Sequence, residues 1–387
     1  MKRFVKLLFC TLWGLFIFAP LRPEIFSSPL GFSFDLPAGF VETARFEDDS
    51  GASFINTVLP VQFILRIYDG DSTPRQRLEE TLHKLGGDGD LGVFEWNGSG
   101  CVISSFSLQN SEMSASGWAF AAVLPDSQVL IALTYADNRI AGRSPELYEF
   151  FMLSVMDSFA TDADSRFDSG PVMTFAFPRG IKRQLSLNMA GQTLTVPLDT
   201  SDVPGAQFVI DREFAVLKEY AQSPLKQEAW QRYYRQIYRD SCARLEEASL
   251  AILDVLDAGE EETLRSLLAW TQAFPYARNF GNAASPRPDF TPLPAILMGA
   301  GSDCDSRAML LAAVMHHMGS KTALFISETH RHALFGIQLD LGGAKIQTGQ
   351  GVYLLNETTV SVDPGLVSRD MSNTDAWFPV ILPHREK

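Results

Sequence analysis

One thiol stands at the head of an apolar run in "GAGSDCDSRAMLLAAVMHHMG", residues 299–319, where Asp303 and Asp305 flank Cys304. A cysteine in that setting can be a packing residue, a metal ligand or a nucleophile. The apolar positions Met309, Leu310, Ala312, Ala313 and Val314 predict a buried helix that begins near Cys304 and ends at Gly319. A helix start presents unsatisfied N–H groups and partial positive charge, and both favour a thiolate. His332 follows 28 residues later in "TALFISETHRHALFGIQLD". A helix and two strands fit in that interval, so the chain can bring an imidazole back beside the helix start. A strand in "GVYLLNETTVSVDPG" then supplies Glu357, the third group a base needs to hold it in one tautomer. His330 is the competing base and Asp363 the competing acid. If Cys304 pairs with His332, its pKa is expected in the range of roughly 3.5–7.5, with Asp303 and Asp305 opposing the shift. His316 and His317 fall in the last helical turn and are expected at the surface.

The elements around these residues divide the chain. Residues 29–160 alternate in the manner of strands, as in "VQFILRIYDG", "FEWNGSGCVISSFSL", "SGWAFAAVLP" and "QVLIALTYA". Two helical patterns interrupt them, "PRQRLEETLHKLGG" and "SPELYEFFMLSVMDSF", the second with Ser144 as N-cap. This predicts an α+β unit: an antiparallel sheet with two helices. Residues 161–207 read as a linker and a hairpin. "ATDADSRFDSG", residues 160–170, is polar, rich in breakers and expected to be solvated. "MTFAFPRGI" reads as a strand, and "QLSLNMAGQTLTVPL" as a hairpin turning at Gly191. From about Phe208 the period becomes helical. The stripe Arg232, Tyr233, Tyr234, Arg235, Tyr238, Arg239 predicts a packed amphipathic helix with snorkelling arginines.

The chain has 387 residues, 46% of them hydrophobic, enough for two or three cores. Its net charge of −14 argues against a nucleic-acid partner, which needs a positive surface. At the N-terminus Lys2, Arg3 and Lys6 precede an apolar run from Leu7 to Ala19, so residues 1–28 read as a signal peptide or an N-terminal anchor. Export to the periplasm or envelope is expected, with membrane contact only through that segment if it is kept. Without it Cys101, Cys242 and Cys304 remain. Cys304 is expected to be a free thiol, and any disulfide to join Cys101 to Cys242. No CxxC pair, zinc helix motif or phosphate-cradling glycine loop is present, so no metal or cofactor is expected.

Residues from about Leu267 to Val380 resemble the transglutaminase-like superfamily of papain-like folds, in its bacterial cysteine-peptidase-like branch. "WTQAFPYARNF", "GSDCDSRAMLLAAVMHHMG", "HRHALFGIQL" and "YLLNETT" carry the resemblance. It implies a papain-like core within residues 208–387, with Cys304 as nucleophile, His332 as base and Glu357 as orienting acid. It also points to Gln272 as an oxyanion donor. The chain departs from the family in having Ala333 and Leu334 where an aromatic usually follows the histidine, and Glu357 where Asp is common. Residues 29–160 resemble, over shorter motifs such as "FSFDLPAGF", the PsbP-like α/β sandwich, a binding or scaffold module. The function implied is an exported cysteine enzyme acting on amide bonds through a thioester: a peptidase, amidase or acyltransferase with a protein or peptide substrate. The alternative is a catalytically inactive transglutaminase-like binding or scaffold protein of the envelope.

Overall fold

The computed structural model describes residues 26–385 apart from 49, 110–112, 190 and 279–286. Most of the expected leader, residues 1–25 of it, lies outside the described residues. Among the described residues no helix is long and apolar enough to cross a membrane.

The architecture is α+β, with antiparallel sheets and helices packed on them. A short pair, β1 (Phe26–Ser27) and β2 (Ser33–Phe34), opens the chain. β3 (Phe40–Arg45), β4 (Gly51–Asn56), β5 (Gln62–Tyr68), β6 (Gly87–Trp96), β7 (Ser99–Gln109), β8 (Ser114–Val123) and β9 (Val129–Asp137) form a seven-stranded antiparallel sheet in the order β3-β4-β5-β9-β8-β7-β6. Helix α1 (Pro74–Leu85) covers one face. Short α2 (Asn138–Ala141) leads into α3 (Pro145–Asp157), which covers the other. Burial on both faces explains why β9 reads as an unbroken apolar run. Its Val129, Ile131, Leu133 and Tyr135 meet Leu78 and Leu82 of α1, while Leu130 and Ala132 join the core with Phe151 and Met156 of α3. Thr73 caps α1 reciprocally with Gln76, and Gly86 ends it at φ 70°.

After α4 (Pro171–Ala176) comes the hairpin β10 (Lys182–Met189) and β11 (Gln192–Asp199), turning at Gly191 as its sequence predicts. Helices α5 (Asp202–Lys218), α6 (Lys226–Leu256), α7 (Glu260–Gln272), α8 (Leu293–Leu297) and α9 (Cys304–His316) follow. The last sheet contains β12 (Thr322–Ser327), β13 (His332–Ile337), β14 (Lys345–Thr348), β15 (Gly351–Asn356) and β16 (Phe378–Ile381), ordered β14-β15-β13-β12-β16. Leu324, Phe335, Ile337, Leu354 and Val380 of this sheet face α9, and their neighbours Phe325, Leu334, Tyr353 and Leu355 form a second core with Trp377 behind it.

Several expectations change here. Residues 160–170 are packed rather than solvated: Ala160, Ser165 and Phe167 are buried. Arg239 of α6 donates to the carbonyls of Asp157 (2.8 Å), Phe159 (2.7 Å), Ser165 (3.0 Å) and Asp168 (2.9 Å). The arginines of α6 do not snorkel. Arg232 pairs with Glu213, Arg235 with Asp35, and Arg244 with Asp240, with Arg232 and Arg244 almost wholly buried. The stretch "MTFAFPRGI" gives no strand; its first half belongs to α4. Pro171 suits a first helical turn, and Asp157 Oδ1 accepts from Met173 N at 3.0 Å, a cap supplied from a distant part of the chain. His316 is buried, with its ring 4.3 Å from that of Phe167 and Nδ1 3.1 Å from the Tyr238 hydroxyl. Burial first, then the charges of His317, Arg385 and His384, pull it down to about 3. Cys101, Cys242 and Cys304 are all free and buried, so Cys304 is unbridged as expected and no disulfide joins Cys101 to Cys242.

Arg239→Met strips a donor from four carbonyls. At about 1–3 kcal/mol for each buried group left unsatisfied, the variant should lose roughly 3 kcal/mol or more in urea unfolding. Early trypsin and chymotrypsin cuts, absent from residues 160–170 of the parent protein, should appear there. Early cutting of the parent in that segment would contradict the packing described.

Candidate functional site

Three chain segments converge on the start of α9. Asp303 is its N-cap, with its carboxyl accepting from Ser306 N at 3.2 Å, and Cys304 is the first helical residue. The lead-in to α9 lies against the chain that leaves α7. Ser302 N donates to Pro275 O at 3.0 Å, Ala277 N donates to Ser302 O at 3.1 Å, and Tyr276 forms a parallel bridge with Ser302. A Cβ on Gly301 would meet that of Ala277 at 2.5 Å, so this approach requires glycine.

The second segment is the β12–β13 hairpin. Ser327 and His332 form its last pair, and Arg331 turns the chain at φ 47°. His332 is therefore the first residue of β13, and the backbone N–H of Ala333 lies against the Cys304 sulfur. The third segment leaves β15 at Asn356, which is paired with Phe335, and delivers Glu357 beside the histidine. Glu357 Oε2 sits 2.8 Å from His332 Nε2. Glu357 Oε1 accepts from Thr359 N (2.7 Å) and Thr359 Oγ1 (2.6 Å). Burial works to raise the Glu357 pKa, but the His332 contact and the Thr359 donors outweigh it and hold the carboxyl below its ordinary range.

The structure thus pairs His332 with Glu357 and sets Ala333, the residue after the histidine, beside Cys304. The competing residues make other contacts. Asp363 lies in a turn where its carbonyl accepts from Leu366 N. His330 stacks on Trp377, with ring centroids 5.5 Å apart. Gln272 is close but engaged: its amide nitrogen donates to Glu357 O (2.8 Å) and Val362 O (3.0 Å), so both protons hold the Glu357 segment. It holds the Glu357 segment, and no amide proton is left for a substrate oxygen.

Sequence reasoning missed Arg307, one turn after Cys304. It is fully buried, and it donates to Ser302 Oγ (3.0 Å), Thr358 O (3.1 Å) and Phe274 O (2.6 Å). One guanidinium therefore ties together the exit of α7, the entry of α9 and the loop after Glu357. The signal available in sequence was a charged residue on the apolar face of a buried helix. Thr359 was also missed, although it stands two residues from Glu357, where a hydroxyl can bond back to a carboxylate.

The thiol itself differs from expectation. Burial, then the charges of Asp305 and Asp303, push Cys304 up to about 12, against the help of the Ala333 and Asp305 N–H groups. The helix start is outweighed because Cys304 is only 6% exposed. Asp303 is itself pushed up to about 9, by burial and by Asp305 beside it. The resting site is thus a neutral thiol.

No family model matches the chain, and no curated protein matches it. Among solved structures, cyanobacterial PsbP (CyanoP) from Synechocystis sp. PCC 6803 aligns over 39% of this chain and 98% of its own, at 11% identity and a TM-score of 0.28. A protein from Bacteroides thetaiotaomicron VPI-5482 aligns over 58% of this chain and 78% of its own, at 12% identity and a TM-score of 0.24. Likenesses of this size carry no argument about the chain.

Two pH dependences follow from the site. Iodoacetamide should alkylate Cys304 more slowly than a model thiol at neutral pH, at a rate still climbing above about pH 9. A plateau reached near pH 6 would mean a thiolate–imidazolium pair and contradict the neutral thiol. Asp303 keeps its proton in the fold up to about pH 9 but releases it near the ordinary 3.8 once unfolded. Its contribution to stability is full below about pH 4 and is lost as pH rises toward about 9. Asp303→Asn preserves the cap, so between about pH 5 and about pH 9 its melting temperature should fall less than that of the parent. Parallel melting curves would overturn the assignment.

Proposed function

We propose that the protein is an exported cysteine enzyme that acts on amide bonds through a thioester acyl-enzyme: a peptidase, amidase or acyltransferase of the transglutaminase-like type. The reading rests first on the 2.8 Å contact between His332 Nε2 and Glu357 Oε2. A carboxylate there holds the proton on Nε2 and leaves Nδ1 with the lone pair a base needs. Among the described residues Nδ1 makes no other hydrogen bond. A helix opening on the nucleophile, followed by antiparallel strands that carry base and acid in turn, is the order a papain-like core requires.

The steps follow from a neutral pair. Cys304 sulfur attacks the amide carbonyl carbon while His332 Nδ1 takes the thiol proton. The oxyanion collapses, the C–N bond breaks, and the leaving amine takes that proton from His332. Water or a second amine, deprotonated by His332, then attacks the thioester and returns the thiol. No step calls for a cofactor. Proton transfer within the attack removes the need for a preformed thiolate, in keeping with a thiol raised to about 12. The substrate class is a protein or peptide of the cell envelope. The charged and apolar N-terminal segment supports export. The seven-stranded sheet unit, which holds none of these three residues, is assigned a binding or scaffold role.

The low exposure of Cys304 and its raised pKa favour a second reading, an envelope binding protein with a silent site. p-Nitrophenyl acetate separates the two. The enzyme should release a nitrophenolate burst that Cys304→Ala abolishes. His332→Ala should slow acylation about 10²–10⁴-fold, the usual worth of a positioned base, and Glu357→Gln at least about tenfold. A burst that survives in Cys304→Ala, or the lack of one in the parent, would select the binding protein.

A further inference from the structure

The proposed reaction creates an oxyanion, and besides the backbone N–H of Cys304, the first residue of α9, its donor is unassigned. Gln272 has spent both amide protons on Glu357 O and Val362 O. The N–H groups of Ala333 and Asp305 serve the sulfur, whose pKa they lower. We infer that Tyr276 donates its phenol O–H to the oxyanion of the tetrahedral intermediate at Cys304. This assignment rests on the enzyme reading given above.

Several observations support Tyr276 in that role. Its backbone is bridged to Ser302, two residues before the nucleophile, and is held by hydrogen bonds on either side of it. The close approach at Gly301 fixes this pairing. The Arg307 guanidinium lies 5.4 Å from the Tyr276 ring centroid, and Arg307 is itself locked by three hydrogen bonds. The ring is therefore seated on a fixed cation, while half of the residue stays open to solvent and to an incoming substrate. Among the described residues its hydroxyl has no hydrogen-bond partner, so the O–H is available. Burial first, and then the charge that Cys304 would carry as a thiolate, raise the phenol, so it keeps its proton at neutral pH. The phenol gives a hydrogen bond and not a proton: charge on the carbonyl oxygen grows as the C–S bond forms and returns as the C–N bond breaks. A donor that meets the oxygen best when it is charged lowers the barrier rather than the ground state.

Two reactions of the same thiol separate this role from a structural one. Acylation by p-nitrophenyl acetate passes through an oxyanion; alkylation by iodoacetamide does not. Both are measured on the full chain at about pH 9, with melting temperatures recorded beside them. Tyr276→Phe should slow acylation about 10²–10³-fold, the usual worth of one oxyanion donor, and leave alkylation within about twofold of the parent. Acylation at the parent rate in Tyr276→Phe, with Cys304→Ala inert, would overturn the Tyr276 assignment and leave the enzyme reading standing. Equal losses in acylation and alkylation, with a lowered melting temperature, would reduce Tyr276 to packing. Acylation that persists in Cys304→Ala would remove the enzyme reading, and this assignment with it.

Discussion

A single buried guanidinium holds the site together. Arg307 gives its hydrogen bonds to Phe274 O, Ser302 Oγ and Thr358 O, and each acceptor belongs to a different segment of the chain. Taking an arginine out of water is tolerated only where its donors find partners. Here the partners are two main-chain carbonyls and a hydroxyl, which no other side chain of similar reach could join at once. The segment from Phe274 carries Tyr276, the segment from Ser302 carries Cys304, and the segment before Thr358 carries Glu357. Loss of this contact would leave three loose strands of polypeptide where the chemistry needs fixed ones.

The same device recurs on a larger scale. α6 runs between the seven-stranded sheet unit and α9, and its arginines reach back to Asp35, Glu213 and the carbonyls of residues 157–168. These contacts fix the end of α3 against α6. Tyr234 of α6 donates in turn to Asp305 at 2.9 Å, next to Cys304. The sheet unit is thereby coupled to the start of α9 through one rigid helix. A site built from a helix start and a strand start, and braced in this way, keeps its side chains in narrow positions. That rigidity would suit the proposed attack by a neutral thiol, in which proton transfer to His332 coincides with bond formation.

Much of this was legible in the sequence, for definite reasons. Cys304 and His332 stand out because the chain has only 4 cysteines and 6 histidines, and Glu357 because a predicted strand delivers it after them. β7, β8 and α1 follow from side-chain period, and β9 from its apolar run. What stayed hidden depends on partners far along the chain. Arg239 reads as a surface residue until the carbonyls it meets, more than seventy positions away, are known. α4 takes its cap from Asp157 rather than from its own flank. The polar run at residues 160–170 looks solvated because its acceptors are main-chain atoms, which composition does not report. The thiol was misjudged for a related reason: a helix start is visible in sequence, but the depth of burial that outweighs it is not.

The central claim is that Cys304 attacks an sp² or sp carbon with His332 handling the proton. A peptide nitrile labelled with ¹³C at the nitrile carbon tests it in one spectrum. Attack by the Cys304 sulfur, with delivery of its proton to the nitrile nitrogen, converts the nitrile into a thioimidate and moves the ¹³C resonance far downfield. The account predicts that signal with the full-length reduced protein, its loss in Cys304→Ala, and its slow appearance in His332→Ala. A nitrile that remains unshifted beside folded protein, with Cys304 reduced, would contradict the account.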